Sequence, residues 1–403
     1  MKRIVQKFGG TSLNSDKKRK LAAQKVKNAV KHGYSPVVVV SAMGRYGDAY
    51  ATDTLINIAK DIAPPIEPRE KDLLMSCGEI ISAVVFVQYL QKLNLEGIAL
   101  TGSQAGIKTD KSHGESRVKK VNPERIIKEL NKDKIPVVAG FQGESTDNEV
   151  TTLGRGGSDT TASILADALA VEYIEIFTDV EGLMTADPVM VENAKILDQV
   201  SYKEACELAY QGARVVHPRA AEIARASSIP IKIKSIDNNK AGTIINSSNL
   251  KKIESDRMIT GVASRDNIIF VKINNADKKN KYESGLKIFK ELAENKVSVD
   301  FINIRTTAVS FVVAENKKND LLKVLNKGSY DYSLCEEYVK ISLVGGGMTG
   351  RPGVMAQIVE SLNDERISIF QTTDSHTTIS CLIKSQFEKR ALNVLHESFK
   401  LSD

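Results

Sequence analysis

Leu153-Gly154-Arg155-Gly156-Gly157-Ser158-Asp159-Thr160-Thr161-Ala162 is the stretch of this 403-residue chain on which its reading turns. It runs directly into an alanine-rich segment, Thr160 to Ala168, whose apolar spacing predicts a helix. Ser158 or Asp159 would serve there as an ordinary N-cap. Three glycines around one arginine exceed what a cap requires. A glycine-lined helix start lets backbone N–H groups close on an anion, and an arginine fork grips a carboxylate with two hydrogen bonds. The anion-binding reading accounts for more of these residues than capping does.

Working outward, the first half alternates short β-branched runs with longer amphipathic ones, the pattern of β-α units in a mostly parallel sheet. Strands are expected at Arg3 to Phe8, Pro36 to Ser41, Gly97 to Thr101, Ile135 to Ala139, Tyr173 to Thr178 and Pro230 to Lys234. Helices are expected at Lys17 to His32, Leu73 to Leu93, Pro123 to Leu130 and Tyr202 to Gln211. The fold class is therefore α/β: a three-layer domain over residues 1–245, then a polar linker over 246–257. Beyond it a strand-helix-strand-strand-helix order occurs twice, which gives two small α+β modules of ferredoxin-like βαββαβ type, 258–335 and 336–403, with strands free to interleave between them.

Composition narrows the function. Apolar residues make up 42% and charged residues 26%, as in ordinary globular proteins. No apolar run is read as a membrane span, and the polar start MKRIVQKFGG is not a secretion signal, so a cytoplasmic protein without a membrane partner is expected. Cys77, Cys206, Cys335 and Cys381 are widely spaced and form no CxxC pair, so they are read as reduced thiols, with neither a metal site nor a disulfide framework. A net charge of +6, few aromatics and no tryptophan suit small anionic substrates and offer no base-reading helix or stacking platform for nucleic acid.

Two further motifs flank the first. Lys7-Phe8-Gly9-Gly10-Thr11-Ser12 ends the first strand with two glycines and a lysine, a phosphate cradle or a plain turn. Phe177-Thr178-Asp179-Val180-Glu181-Gly182-Leu183-Met184-Thr185-Ala186-Asp187-Pro188 is a strand end followed by an acidic loop, either a ligand-facing edge or a solvated turn. Gly345-Gly346-Gly347-Met348-Thr349-Gly350 fits a dinucleotide fingerprint, but too little chain follows it to complete a βαβαβ half.

Together these motifs resemble those of the aspartokinase family, in which KFGGTS, SAMG, an SxGE helix start, LGRGGSDTTA and TDVxGxxTADP occur in this order. They stand here at Lys7 to Ser12, Ser41 to Gly44, Ser76 to Glu79, Leu153 to Ala162 and Thr178 to Pro188, and the likeness continues through Gly212 to Ala220. It covers essentially the whole chain. Tyr50 to Thr54 after SAMG resembles the diaminopimelate-responsive branch of Gram-positive bacteria. The resemblance implies an amino-acid kinase domain followed by two ACT domains, with ATP and Mg2+ as cofactors and L-aspartate as acceptor.

It further implies that Lys7 contacts the transferring phosphoryl group, that Gly9 and Gly10 supply backbone donors, and that Asp159 orients Lys7. Arg155 and Glu79 would hold the α-carboxylate and ammonium of aspartate, with Ser41, Ser158 and Thr11 adding hydrogen bonds. Phe8, Thr178, Asp179, Met184, Ala186, Asp187, Pro188, Arg214 and Val215 would complete the ATP site. Family members usually carry lysine at the position of Arg214 and arginine at that of Val189. An amino-acid effector would bind at Gly285, Leu286, Ser298, Val299 and Asp300, between ACT domains paired across a homodimer. Asp374 and His376 are read as hairpin residues. Two other readings stand beside this one: a different member of the kinase fold, acting on glutamate, carbamate or a nucleoside monophosphate, and an amino-acid sensor without catalysis.

Overall fold

The computed structural model of the chain describes residues 2–213, 215–247, 258–274, 281–305, 307–328, 330–348 and 350–402, and for 281–286 the backbone alone. Arg214, most of the expected linker and the side chains of Gly285 and Leu286 lie outside the described residues. The chain forms two compact units. One comprises Met1–Leu183, Ile196–Tyr210 and Arg214–Ile253, and the other Met184–Lys195, Gln211–Ala213 and Glu254–Asp403. Two short stretches that a division at residue 245 leaves in the first domain therefore pack with the second unit: Ala186 and Val191 are buried in its core beside Ile259, Val262 and Leu343.

The first unit is built on an eight-stranded sheet. Its order is Gln199–Ser201, Thr243–Asn246, Ile231–Ser235, Ile174–Thr178, Lys2–Phe8, Tyr34–Val40, Ile135–Ala139 and Gly97–Leu100. All neighbours are parallel except Ile231–Ser235 with Thr243–Asn246. A buried parallel sheet wants β-branched residues on both faces. Val37, Val38, Val39 and Val40 answer that with no exposed surface.

Helices cover the two faces. Phe8 points to the side of Asp16–Lys31 and Pro68–Gln91, where it packs with Ala22, Val26, Phe86 and Val87. Lys7, one residue back, points to the other side, where the helix Gly157–Leu169 lies against the same strand. Pro68–Gln91 corrects the expectation that no segment is long and apolar enough to cross a membrane: by length and composition its 24 residues are. Half of its most apolar stretch is buried inside the protein, and it carries the buried polar residues Asp72, Ser76 and Glu79.

That helix also begins at Pro68, so the SxGE residues sit in its interior and not at its start. Pro at the first helical position costs no hydrogen bond, which is why the helix extends back to it. A second sheet of four short strands, Val118–Val121, Ile107–Thr109, Gln142–Glu144 and Val150–Thr152, was not expected. Three- and four-residue strands are too short to carry a period.

The second unit contains two antiparallel four-stranded sheets. The first is ordered Asp300–Ile304, Ala308–Ala314, Ile268–Asn274, Tyr332–Cys335, and the second Gly261–Arg265, Tyr338–Val344, Thr378–Lys384, Gln371–Asp374. Gly261–Arg265 precedes every strand of the first sheet in the chain yet pairs with Tyr338–Val344 of the second. Cys206 and Cys381 are buried, Cys77 and Cys335 half-buried, and all four are free.

Phe8 stacks on Phe177 with ring centres 4.9 Å apart and meets Phe86 at 5.4 Å. Phe8→Ala is expected to lower the unfolding free energy by about 3–5 kcal/mol, read by urea denaturation followed by circular dichroism; a loss below about 1 kcal/mol would mean the aromatic triad is not a core element.

Candidate active site

Parallel pairing brings the carboxyl ends of the strands to one edge, where ligands of open α/β sheets collect. Phe8 stands opposite Val40 and Phe177, and Val40 opposite Ala139. The residues that follow each strand, Gly9-Gly10, Ser41-Ala42, Asp179 and Gly140-Phe141, therefore share that edge.

Gly10 permits the closest approach there. A Cβ on it would lie 2.6 Å from the Ala42 carbonyl oxygen and 2.7 Å from that of Gly44. Gly44 N–H donates to the Gly10 carbonyl at 3.0 Å, which ties the first two strand ends together. Gly9 N–H donates to the Phe177 carbonyl at 3.2 Å. Of the two glycine amides expected to face a phosphate, that of Gly9 is thus committed to the sheet. Thr11 lies in a 3-10 turn, Gly10–Ser12, and Ser12 Oγ donates to the Phe177 carbonyl at 3.2 Å.

On the other face, the helix Gly157–Leu169 aims its first turn at Lys7. Its N-cap is Gly156 with φ 71°, so Ser158 and Asp159 are not caps but first-turn residues. A left-handed φ at this point is open to glycine and strains other residues, which explains the residue type. Gly140 lacks a Cβ where one would lie 2.8 Å from Ser158 Oγ, so the strand end presses on the buried Ser158. Lys7 Nζ lies 2.7 Å from Asp159 Oδ1, with side chains 12% and 13% exposed. That oxygen has no well-aligned hydrogen bond, so the contact is chiefly electrostatic.

Glu79 reaches the same edge from the helix Pro68–Gln91. Ala42 N–H donates to its Oε1 at 3.2 Å, while Oε2 is buried with no partner among the described residues. Burial pushes its carboxyl from an ordinary 4.5 up to about 8, against the Ala42 hydrogen bond that favours the charged form. A surface salt bridge, the simplest alternative for this residue, is ruled out by its 3% exposure. Arg155 is exposed, on the loop between Gly154 and Gly156.

Thr178 Oγ1 donates to Asp179 Oδ1 at 3.1 Å, and Asp179 Oδ2 pairs with Arg45 Nη2 at 2.8 Å. Val215 is half-buried on the first unit, whereas Met184, Ala186, Asp187 and Pro188 belong to the second. There Ala186 is buried, Asp187 accepts from Val189 N–H at 2.9 Å, and Val189 is 80% exposed.

Two contributors escape a sequence reading. Arg45 pairs with a residue distant in sequence, and nothing in its surroundings announces that. Asp72 is fully buried and accepts from Thr152 N–H at 3.0 Å, Thr152 Oγ1 at 2.6 Å and Gly114 N–H at 3.1 Å, with His113 Nδ1 2.9 Å away. It anchors the strand that leads into the glycine loop. Its only sequence signal is an acid on the inner face of an apolar helix.

In the second unit, Asp300 is not a free acid. Its Oδ2 lies 2.7 Å from Nζ of Lys340, a residue only 4% exposed, and Oδ1 accepts from Phe301 N–H at 2.7 Å. Burial raises its carboxyl pKa, but the Lys340 ammonium outweighs that and the net shift is downward. The acid expected to receive an effector ammonium already holds one. Ser298 is exposed, and Val299 packs against the core of the first sheet.

The chain resembles known proteins along its whole length. The profile of the amino acid kinase family matches residues 2–235, and an ACT-domain profile matches residues 334–397. Aspartokinase 1 of Bacillus subtilis (strain 168) is 46% identical over 405 residues, all of both chains. The aspartokinase of Geobacillus stearothermophilus is 38% identical over 99% of this chain and 98% of its own. The crystal structure of E. coli aspartokinase III in complex with aspartate and ADP superposes with a TM-score of 0.82 over 98% of this chain and 99% of that one; at 23% identity it shows a shared fold.

Because the Glu79 carboxyl is raised in the folded protein, the folded state holds a proton that the unfolded chain releases near 4.5. The stability tied to that proton is present below 4.5 and is lost as pH rises through about 8. Glu79→Gln cannot titrate. Its unfolding free energy is expected to fall less than that of the wild type across this window in urea denaturations at a series of pH values; parallel profiles would show that Glu79 is already ionised.

Proposed function

The chain belongs to the amino acid kinase family and, within it, to the aspartokinases, and from that premise we propose that it transfers the terminal phosphoryl group of ATP to the β-carboxylate of L-aspartate. A bond forms between a carboxylate oxygen and the γ-phosphorus, the γ-phosphorus to β-bridging oxygen bond breaks, and ADP leaves with 4-phospho-L-aspartate as the other product. This reaction opens the route toward diaminopimelate, lysine, methionine and threonine.

The observation that carries the reading is the Lys7–Asp159 pair at the joint carboxyl edge, where Glu79, buried, meets the Ala42 N–H. A carboxylate with a pKa of about 3.9 is ionised at neutral pH and needs no general base. What it needs is relief from the repulsion of the phosphates. Lys7 supplies a positive charge there, held on the strand end and oriented by Asp159, at a place shielded enough for that charge to count. Arg155 takes the α-carboxylate of aspartate as a bidentate pair. Glu79, near-neutral while alone, gives up its proton when the substrate ammonium arrives, so its charge appears only with its partner. Ser41, Ser158 and Thr11 add hydrogen bonds.

ATP lies along the same edge toward Thr178 and Asp179. Mg2+ usually asks a protein for one or two carboxylates, since phosphates and water complete its shell; Asp159, beside Lys7, and Asp179, after the strand Ile174–Thr178, would hold it. When bound it neutralises charge across the phosphate oxygens. In the regulatory half, an amino-acid effector binds near Asp300, where its ammonium competes with Lys340 for the carboxylate. The exposed Ile302 and Ile304 on the strand Asp300–Ile304 and Phe370 suit pairing of two chains through their ACT domains in a cytoplasmic homodimer.

Hydroxylamine converts acyl phosphates into coloured hydroxamates. With Mg-ATP, wild-type protein is expected to give hydroxamate that depends on L-aspartate, and Lys7→Ala to lower kcat by about 10²–10³-fold with an unchanged circular dichroism spectrum. Hydroxamate from another acid but none from aspartate would overturn the substrate, and none from any acid would favour a sensor.

A further inference from the structure

Arg155 owes its place to the loop that carries it, and that loop is held from behind by His217-Pro218-Arg219. The helix Pro218–Ala226 begins there with His217 as its N-cap, and it packs along the helix Gly157–Leu169. The His217 ring occupies the space a side chain on Gly156 would need. A Cβ built on Gly156 would lie 2.1 Å from His217 Cγ and 2.3 Å from its Cδ2. At the other end of the loop, Arg219 Nη1 donates to the Leu153 carbonyl at 3.3 Å. These two contacts bracket Gly154 and Arg155, so the backbone of the exposed arginine is fixed on both sides.

His217 is poorly explained by stability alone. Its Nδ1 is buried with no hydrogen-bond partner among the described residues, which costs free energy. The charged groups that bear on the ring are Asp159 from the helix Gly157–Leu169, Arg155 from the loop, and Arg219 and Glu222 from its own helix. Burial holds the imidazole in its neutral form, so it adds no charge between two arginines. A flat, uncharged ring against a glycine backbone sets a height without competing for the substrate's carboxylate.

We propose that His217 and Arg219 are positioning residues for aspartate, which fix the loop Leu153–Ser158 and thereby the place at which Arg155 meets the substrate α-carboxylate. The proposal rests on Arg155 serving that role in the reaction above. Steady-state kinetics on full-length His217→Ala, Arg219→Ala and Arg219→Lys test it, with Arg155→Lys as reference. In each alanine variant KM for aspartate is expected to rise roughly tenfold while KM for ATP stays within about twofold, since small misplacements of a binding group cost that much or more. Arg219→Lys keeps a donor and is expected to recover most of the loss.

The contact itself is tested by a double-mutant cycle. Gly156→Ala alone collides with the ring, and combined with His217→Ala its effect on aspartate KM is expected to be smaller than the product of the single effects. Strain from the left-handed backbone is common to both backgrounds and cancels. If Arg155→Lys raises aspartate KM but the His217 and Arg219 variants do not, the inference fails and the function stands. If Arg155→Lys leaves aspartate KM unchanged, the assignment of Arg155 fails instead. An equal rise in both KM values with a lowered Tm would reduce His217 and Arg219 to structural residues and overturn the proposal. Should His217→Ala not fold, His217→Asn takes its place in the series.

Discussion

The register of the strand Lys2–Phe8 between its two parallel neighbours is the constraint on which the first unit depends. Both flanking strands are buried, and side chains alternate with a period of two, so a slip by one residue would exchange the faces of Lys7 and Phe8. Phe8 would leave its stack with Phe177 and Phe86, and a lysine would enter that cluster. The aromatic packing on one face thus sets the position of the lysine on the other. The same register aligns the ends of all the parallel strands, which is why residues far apart in sequence meet along a single edge.

Along that edge the protein keeps polar groups incompletely satisfied. Glu79 Oε2 lacks a partner, and Asp159 Oδ1 meets Lys7 without good hydrogen-bond alignment. Such groups cost stability in the empty protein. In the reaction proposed above, the substrate ammonium would be the partner that Glu79 lacks, and an interaction gained only with substrate bound is of the kind catalysis can use. Asp72, by contrast, is fully buried and satisfied by four hydrogen-bonding contacts around the entry to the glycine loop, and it acts as scaffold.

The second unit uses a buried charge differently. Lys340 is nearly without exposure, and its attraction to Asp300, whose side chain stays 46% exposed, must offset the removal of the ammonium from water. Asp300 precedes Phe301, whose φ of 57° is unusual for a bulky residue. Phe301 is buried with Ile268, Val312 and Leu382, residues drawn from both four-stranded sheets. An ion pair, a strained backbone and a shared apolar cluster therefore coincide where the two sheets meet. A ligand that takes Asp300 from Lys340 would act on all three.

The sequence by itself determined the α/β class and the doubled α+β modules, because these rest on local periodicity, and its short motifs singled out Lys7, Asp159, Arg155 and Glu79 as candidates. Only the tertiary structure decided what those residues face. Gly156, and not Ser158, caps its helix, and the His217 ring fills the space a side chain there would need. Asp300 is already paired because Lys340 comes from the adjoining sheet. The strand Gly261–Arg265 joins the second sheet, and 184–195 joins the second unit, because pairing and packing act across space. Spacing along a chain encodes local conformation; partners distant in sequence are set by how whole elements dock, and no local pattern records them.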